Sequence, residues 1–314
     1  MADKIITVFG ATGAQGGGLA RAILAHPDSG FKVRAVTRKP DADAAKALAQ
    51  AGAEVVAANM DDAASVQRAM AGAHGAYCVT NFWEHFSPEK ELAQASTMAD
   101  AAAKAGVQHV IWSTLEDTRT FFAPDGKRMP VLQGRYNVPH FDAKGEANAL
   151  FTSKVPTTLL YTSFYWDNLI HFGMGPKKGP DGVLGFTLPM ADKRMSGIAA
   201  EDIGKCAFGI FKEGAVHIGK SVGIAGEHLS GAEMAAELSK ALGQTVRYNA
   251  VTPAQFRSFG FPGADDLGNM FQFYAEFEDA FIQARPVEVA RRLDPELQTF
   301  AAFLARNRER IPLG

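Results

Sequence analysis

The pattern with the clearest chemical meaning is a glycine-rich turn near the N-terminus, Gly10-Ala11-Thr12-Gly13-Ala14-Gln15-Gly16. It follows an apolar stretch, residues 5–9, and opens a run of helix-forming residues, 14–26. Here Gly10 permits a tight turn, Gly13 lets the main chain approach a diphosphate, and Gly16 lets the helix pack closely on the sheet. The helix N-terminus would present unpaired N–H groups and a positive dipole end to the phosphates. We therefore predict a bound dinucleotide, the alternative being a tight turn with no ligand.

The residues after the second apolar stretch, 33–37, bear on which dinucleotide binds. A coenzyme with a free ribose 2′-hydroxyl is normally held there by an acidic residue. This chain instead has Arg38 and Lys39. Because a guanidinium can pair bidentately with a phosphate and stack on adenine, the sequence favours NADP(H) over NAD(H). The alternative is that both cations belong to a solvated loop end.

Polar and aromatic residues also follow the next predicted strands, where parallel sheets bind their ligands. Asn59 and Met60 come after residues 54–57, and we expect them beside the adenine. Asn81, Phe82 and Trp83 come after residues 76–79, where they would flank the nicotinamide ribose or, for the two aromatics, belong to the core. The next predicted strand ends in Ser113 and Thr114, and a hydroxyl there could bond a substrate carbonyl or only cap the strand end.

These residues need a framework that brings strand ends together, and the order of elements predicts one. Short apolar strands alternate with helical segments up to residue 161, without the strict polar alternation of a half-exposed sheet. This order is typical of an α/β fold with a doubly wound parallel sheet, the Rossmann arrangement. The glycines that follow the turn, Gly17 and Gly18, weaken the first helical turn by up to about 1 kcal/mol each, so we expect close backbone packing there.

The second half of the chain predicts a smaller, partly helical C-terminal domain. We assign residues 1–163 to the dinucleotide-binding domain, which the chain re-enters around 196–226, and residues 164–195 and 227–314 to the smaller domain. Residues 173–190 are rich in Gly and Pro without a strong period. The segment 118–138 is unusually long for a loop of an α/β domain, and such loops are often functional or disordered.

Composition excludes several classes of protein. Lys and Arg number 32 against 34 Asp and Glu, so the balance argues against a nucleic-acid-coating protein. Two cysteines cannot build a disulfide framework, and without a His/Cys cluster we expect no metal site. No uncharged apolar run reaches the roughly 18 residues of a membrane span, and the N-terminus does not resemble a signal peptide. We therefore expect a cytoplasmic protein.

Several segments together resemble the NmrA-like family of atypical short-chain dehydrogenases/reductases. The resemblance runs through GATGAQGG (10–17), FKVRAVTRKP (31–40), VTNFWE (79–84), HFDAKGE (140–146), FYWDN (164–168) and FGFPGADDLGNMFQFY (259–274). It implies an NADP-binding Rossmann domain with a smaller second domain. By position, the implied coenzyme contacts are Gly10–Gln15, Arg38, Asn81–Trp83, Lys144, Tyr165, Trp166, Asp167 and Asn168. A lysine that the resemblance places on the helix after VTNFWE is Ala93 here, which leaves that contact in doubt.

The catalytic equipment departs from the usual pattern of the wider superfamily, in which a tyrosine precedes a lysine by four residues. None of the six tyrosines has a lysine at that spacing. His140 and Lys144 instead stand four residues apart, on one face if both are helical. Lys144 could hold the ribose hydroxyls, and His140 could donate a proton or be an ordinary loop histidine.

Three functions fit this sequence. The family contains regulators that sense the ratio of NADPH to NADP with little catalysis, and reductases that transfer hydride to a quinone, carbonyl or enone. A reductase would need an apolar pocket, which Phe82, Trp83, Phe164, Tyr165 and Trp166 could line. A fold that keeps the coenzyme for stability alone is the third possibility. A regulatory protein partner suits the first function and a small-molecule acceptor the second; a homodimer is expected by analogy only.

Overall fold

Strands and helices alternate through the first half of the chain. The computed structural model describes residues 3–122 and 128–314. The strands are β1 (Lys4–Val8), β2 (Phe31–Thr37), β3 (Glu54–Ala57), β4 (Gly75–Cys78), β5 (His109–Thr114), β6 (Thr157–Tyr161), β7 (Phe164–Tyr165), β8 (Lys177–Lys178), β9 (Leu184–Leu188), β10 (Arg194–Ile198), β11 (Ser221–Gly223), β12 (Glu227–Ser230) and β13 (Val246–Ala250). The helices are α1 (Ala14–Leu24), α2 (Asp43–Gln50), α3 (Ala63–Met70), α4 (Pro88–Lys104), α5 (Pro139–Thr152), α6 (Asn168–His171), α7 (Ala200–Glu213), α8 (Gly231–Leu242), α9 (Pro253–Arg257), α10 (Ala264–Glu276), α11 (Glu278–Gln283), α12 (Val287–Leu293) and α13 (Phe300–Asn307).

The central element is a seven-stranded sheet in the order β11-β6-β5-β4-β1-β2-β3, in which every pairing is parallel. The inner strands β1, β4 and β5 are buried almost throughout, so both faces of the sheet must be covered. This confirms the predicted doubly wound fold. The strand order reverses between β1 and β4, and the crevice at the carboxyl ends of these two strands is where such folds bind ligands.

One face of the sheet carries α1 and α7 in close contact. A Cβ atom added at Gly18 would lie 2.3 Å from the carbonyl oxygen of Glu201, and one at Gly204 would lie 2.1 Å from the amide nitrogen of Leu19. Both distances are too short for any side chain, so the two backbones meet directly. The close packing predicted for the glycines after the turn is therefore confirmed at Gly18. The other face is covered by α3, α4 and α5, through alanines and the larger side chains of Met70, Met98 and Phe151.

The C-terminal part contains two three-stranded sheets, β12-β10-β7 and β13-β9-β8, and an aromatic core built around Phe271 and Phe273. The sequence shows no strong period in residues 173–190, but the structure places two strands there, β8 and β9. The chain re-enters the large sheet through α7 and β11, whereas β10 pairs with β7 and β12.

The segment 118–138 is anchored at both ends by one buried carboxylate. Asp142 on α5 accepts hydrogen bonds from the Thr118 amide (2.7 Å) and hydroxyl, and from the amides of Asn137 (2.7 Å) and Val138. The pKa of Asp142 is raised, because the effect of burial outweighs that of these hydrogen bonds, which lower it. Part of the segment, residues 123–127, lies outside the described residues.

Candidate functional site

The glycine-rich turn lies at the carboxyl end of β1, as predicted. Gly10 has φ +64°, a left-handed conformation that favours glycine, and its carbonyl accepts a hydrogen bond from the Gly13 amide at 2.8 Å. A Cβ atom at Gly16 would lie 2.5 Å from the Gly10 carbonyl oxygen. Gly13 is the exposed N-cap of α1 and offers no side-chain cap, so the first amides of the helix have no side-chain acceptor. This geometry fits a diphosphate.

The side chain of Gln15 is hydrogen-bonded to three hydroxyl groups. Its side-chain oxygen accepts hydrogen bonds from Tyr77 and from Ser113 (2.7 Å), and its amide nitrogen donates to the Tyr165 hydroxyl. Burial raises the pKa of Tyr165 to about 12, so this phenol stays protonated at neutral pH. The Ser113 hydroxyl, a candidate substrate ligand by sequence, is thus committed to Gln15. Sequence reasoning did not single out Tyr77, because a tyrosine within a strand has the pattern of ordinary core.

At the carboxyl end of β2, Arg38 forms a bidentate ion pair with Glu84. The guanidinium donates from Nη1 to Oε2 at 2.8 Å and from Nη2 to Oε1 at 2.6 Å. Both side chains are exposed, by 57% and 41% respectively. The Arg38 guanidinium holds the pKa of the Glu84 carboxyl below its usual value. Neighbouring Lys39 is also exposed.

The residues that follow β3 sit at the same edge of the sheet. Asn59 is exposed and Met60 half-buried. The side chain of Asn59 accepts a hydrogen bond from the Asp61 amide (3.1 Å), while Asp62 caps α3 through the Ala64 amide at 3.0 Å. These positions keep Asn59 and Met60 as candidates for the adenine, which stays a prediction.

The residues after β4 form a short 3₁₀ turn, Phe82–Glu84, that joins the large sheet to the C-terminal part. Asn81 is exposed, Phe82 is buried among aromatic rings, and Trp83 is half-buried. The Trp83 ring lies 4.7 Å from the His140 ring, centroid to centroid. A Cβ atom at Gly263 would lie 3.0 Å from Trp83. The turn therefore contacts both α5 and the residue that precedes α10.

Lys144 on α5 points at the carboxyl end of β4. Its ammonium donates to the Thr80 hydroxyl and to the Glu91 carboxylate, each at 2.7 Å, and to the Thr80 carbonyl at 3.2 Å. Glu91 is fully buried and also accepts a hydrogen bond from the Thr80 hydroxyl. His85 faces the second oxygen of Glu91 at 3.6 Å, and neither of these two atoms has a hydrogen-bond partner among the described residues. Sequence reasoning missed Glu91 because a carboxylate in the first turn of a helix is unremarkable there.

His140 is buried one turn before Lys144 and is bound to Asp266. Its Nδ1 atom contacts one oxygen of that carboxylate, and its amide donates to the other at 3.2 Å. Asp266 lies in the first turn of α10. His140 and Lys144 are therefore on one helix, as predicted, but each is held by a different carboxylate.

The FYWDN segment divides in the structure. Tyr165 reaches Gln15, whereas Trp166 is 1% exposed and packs on Phe300 and Phe303. Its indole fills the space above Gly197, where an added Cβ would lie 2.2 Å from Nε1. Burial in the C-terminal core leaves Trp166 no surface for a coenzyme, so we withdraw it from the predicted contacts.

The last two residues of the segment, Asp167 and Asn168, lie where β7 leads into α6. Asp167 accepts a hydrogen bond from the Ala200 amide at 2.8 Å, and Asn168 begins α6. Both are half-buried. Asp167 thus links the FYWDN segment to the start of α7, and a coenzyme contact by either residue stays a prediction.

The described residues contain neither a metal-binding cluster nor a helix that could span a membrane. Residues 3–122 and 128–314 hold no group of three or more His, Cys, Asp or Glu side chains that could bind a metal ion. In these same ranges no helix combines the length and apolar character needed to cross a bilayer.

Comparison with known proteins places the chain in a family. Residues 2–304 match the model of the NmrA-like family. The NmrA-like family domain-containing oxidoreductase FrzB of Cladobotryum sp is 30% identical over 309 residues, which cover 90% of this chain and 88% of the relative.

Solved structures give the same fold. NmrA, a negative transcriptional regulator in complex with NADP, matches with a TM-score of 0.76 at 23% identity, over 97% of this chain and 95% of that one. The NADPH-dependent quinone oxidoreductase QOR2 of Escherichia coli matches with a TM-score of 0.71 at 21% identity, over 96% and 98% of the two chains. From the match along its length, this chain belongs to the NmrA-like family.

Proposed function

We propose that this protein binds NADP(H) at the carboxyl ends of β1, β2 and β4. The observation that carries the proposal is the exposed glycine turn that leads into α1, with no side-chain cap on the helix, and the Arg38 guanidinium at the end of the neighbouring strand. The turn would take the diphosphate and Arg38 the 2′-phosphate. The NADP complex of the regulator NmrA and the coenzyme use of QOR2, proteins of the same fold, support this assignment.

The remaining contacts follow from the order of strand ends. Asn59 and Met60 would flank the adenine, with Lys39 near the 2′-phosphate. Lys144 would hold the nicotinamide ribose, and Asn81 and Trp83 would lie beside the ring.

For the role of this binding, we propose regulation by coenzyme state. The two candidate proton donors are occupied, since His140 is bound to Asp266 and Lys144 to Glu91. The turn that would meet the nicotinamide packs on His140 and Gly263, at the start of the C-terminal helical region. A change at the coenzyme would therefore be transmitted to a surface that a partner protein could recognise.

A reductase is the second candidate, favoured by FrzB being named an oxidoreductase. Bound NADPH would supply the hydride, and Lys144 would orient the ribose. Fewer residues can line the acceptor pocket than the sequence predicts, because Phe164 and Trp166 are buried in the C-terminal core. Trp83 and Tyr165 are the half-buried members that could still meet an acceptor.

One pair of assays on purified protein separates the two roles. The first mixes the protein with NADPH and a panel of quinones and enones and follows the absorbance of reduced nicotinamide. The second compares limited proteolysis with NADPH and with NADP⁺. The regulatory proposal expects no turnover above background and different cleavage around residues 81–86 and 259–266. Turnover that disappears in Lys144→Ala, with the fold verified by circular dichroism, would instead establish the reductase.

A further inference from the structure

Glu84 engages the two donors of Arg38 that a 2′-phosphate would use. It engages Arg38 through two parallel hydrogen bonds, the arrangement in which a guanidinium also binds a phosphate. Arg38 follows β2 and Glu84 follows β4, and β1 lies between these strands in the sheet. The ion pair therefore spans the end of β1, the strand that leads into the glycine turn.

A carboxylate and a phosphate cannot share this guanidinium without cost. A phosphate monoester carries about −1.5 to −2 charges at neutral pH, and a carboxylate held against the same cation would repel it. The two anions would also compete for the Nη1 and Nη2 donors. Because both side chains are exposed, the ion pair itself is weak enough to be exchanged.

On these grounds, and resting on the proposed NADP(H) site, we propose that Glu84 is an internal competitor of the coenzyme 2′-phosphate for Arg38. It sets the preference between phosphorylated and unphosphorylated coenzyme. When the phosphate takes Arg38, Glu84 is released and the turn Phe82–Glu84 loses its tie to β2. Because the 2′-phosphate is common to NADPH and NADP⁺, this exchange reports occupancy by the phosphorylated coenzyme and not its oxidation state.

The exchange also reaches the C-terminal part of the molecule. The turn that carries Glu84 includes Trp83, and the next residues include Phe86. Both rings pack against the position of Gly263, where an added Cβ would lie 3.0 Å from Trp83 and 3.3 Å from Phe86. Phe259 and Phe261, close by in the chain, are 51% and 39% exposed. Release of Glu84 would thus loosen the support of an exposed apolar surface.

The test is coenzyme affinity in Glu84→Gln, which removes the charge but keeps the size. Calorimetric titration should show NADPH binding about 3- to 10-fold tighter than wild type, because the competing anion is gone. NADH, which has a hydroxyl in place of the phosphate, should change less than about 2-fold. Unchanged or weaker NADPH binding in this variant would overturn the proposal.

Two further variants complete the test. Asp181→Asn breaks another pair that is exposed at both ends, with Arg247 at 2.7 Å, and should leave both affinities unchanged. In an Arg38→Ala background Glu84→Gln should lose most of its effect; a gain that persists in full would show general charge repulsion in place of competition.

Failure of the proposed coenzyme site would look different. Wild-type protein that binds neither NADPH nor NADH overturns both the proposed function and this inference. Wild-type protein that binds NADPH through Arg38, with no gain in Glu84→Gln, overturns this inference alone.

Discussion

Three cationic or titratable side chains of the candidate site are each matched to one carboxylate. Arg38 is paired with Glu84, Lys144 with Glu91, and His140 with Asp266. The first pair is exposed and exchangeable, and the other two are buried and fixed. Ligand-dependent change at the residue scale is therefore expected at Arg38, while Lys144 and His140 provide a rigid wall.

Replacing Arg38 should discriminate between coenzymes. Arg38→Ala removes the charge-assisted bonds to the 2′-phosphate, which are worth about 1.5–3 kcal/mol, or about 10- to 100-fold in affinity. NADPH binding should weaken by that factor and NADH binding by far less, measured by titration calorimetry. Arg247→Ala, which breaks an exposed ion pair with Asp181, is the control. Equal losses for NADPH and NADH would contradict the assignment.

Removing Lys144 should cost stability irrespective of any role in binding. The Glu91 carboxylate is fully buried, and Lys144→Ala removes the ammonium that pairs with it at 2.7 Å. We expect the free energy of unfolding in urea to fall by about 3–5 kcal/mol. The double variant Lys144→Met with Glu91→Leu should recover most of that loss. A single variant as stable as wild type would show that the pair contributes little.

At the residue scale, sequence analysis identified the basic member of each pair as a candidate site residue but not its carboxylate partner. Arg38, His140 and Lys144 stand out by residue type at strand ends or on a helix face. Their partners are distant in the chain, as Asp266 is 126 residues from His140. Only the packing of the elements brings such residues together, so composition and spacing could not identify them.

Among the elements, the contact of α1 with α7 determines how the first helix is presented. Gly18 faces the Glu201 carbonyl, whereas a Cβ at Gly17 would meet the flexible end of Arg21 at 2.9 Å and the Ala11 carbonyl oxygen at 3.3 Å. The spacing of the glycines thus serves helix packing as well as the phosphate turn.

Alanine at Gly18 should cost much more stability than alanine at Gly17. Gly18→Ala forces α1 away from α7, and we expect it to lower the free energy of unfolding by about 1–3 kcal/mol or more. Gly17→Ala is the matched control in the same helical turn. It meets a movable side chain and gains helix propensity of up to about 1 kcal/mol, so its effect should be small. Urea unfolding of both variants tests this prediction. Equal losses in the free energy of unfolding would contradict the direct contact between the backbones of α1 and α7.

Asp294, which ends α12 beside α7, makes stability depend on pH. Burial raises its pKa to about 6, with nearby Lys205 lowering and Asp202 raising it. The folded state therefore binds this proton more tightly than the unfolded state, where the pKa is near 3.8. The contribution of Asp294 to the free energy of unfolding falls as pH rises from about 4 to 6, and the penalty persists above 6.

The variant Asp294→Asn isolates this contribution. We expect the stability of wild type relative to the variant to decline between pH 4 and pH 7, measured by urea unfolding at intervals. A difference that stays constant across this range, or that grows in favour of wild type, would contradict the raised pKa.

The sequence predicted the large sheet far better than the small ones. Buried parallel strands are continuous apolar runs, and the predicted stretch 54–57 has the observed bounds of β3. The short strands β7 and β8 have two residues each, and β9 follows a Gly- and Pro-rich stretch, so tertiary pairing and not local pattern makes them strands.

At the scale of the whole molecule, the candidate coenzyme site and the C-terminal part share one wall. Trp83 and His140 contact each other, and His140 is bound to α10 through Asp266. A buried ion pair between Arg285 and Glu116, at 2.6 and 2.8 Å, also ties the C-terminal helices to the end of β5. Events at the carboxyl edge of the sheet are thus mechanically connected to the C-terminal surface, as a regulator requires.

The central claim is that the glycine turn and Arg38 together bind a phosphorylated dinucleotide. Titration calorimetry of the purified protein with NADPH, NADP⁺ and NADH tests it most directly. The account predicts that NADPH and NADP⁺, titrated separately, each bind saturably with one molecule per chain. NADH should bind at least about 10-fold more weakly because it lacks the 2′-phosphate. No binding of either phosphorylated form, or equal affinity for NADPH and NADH, would contradict it.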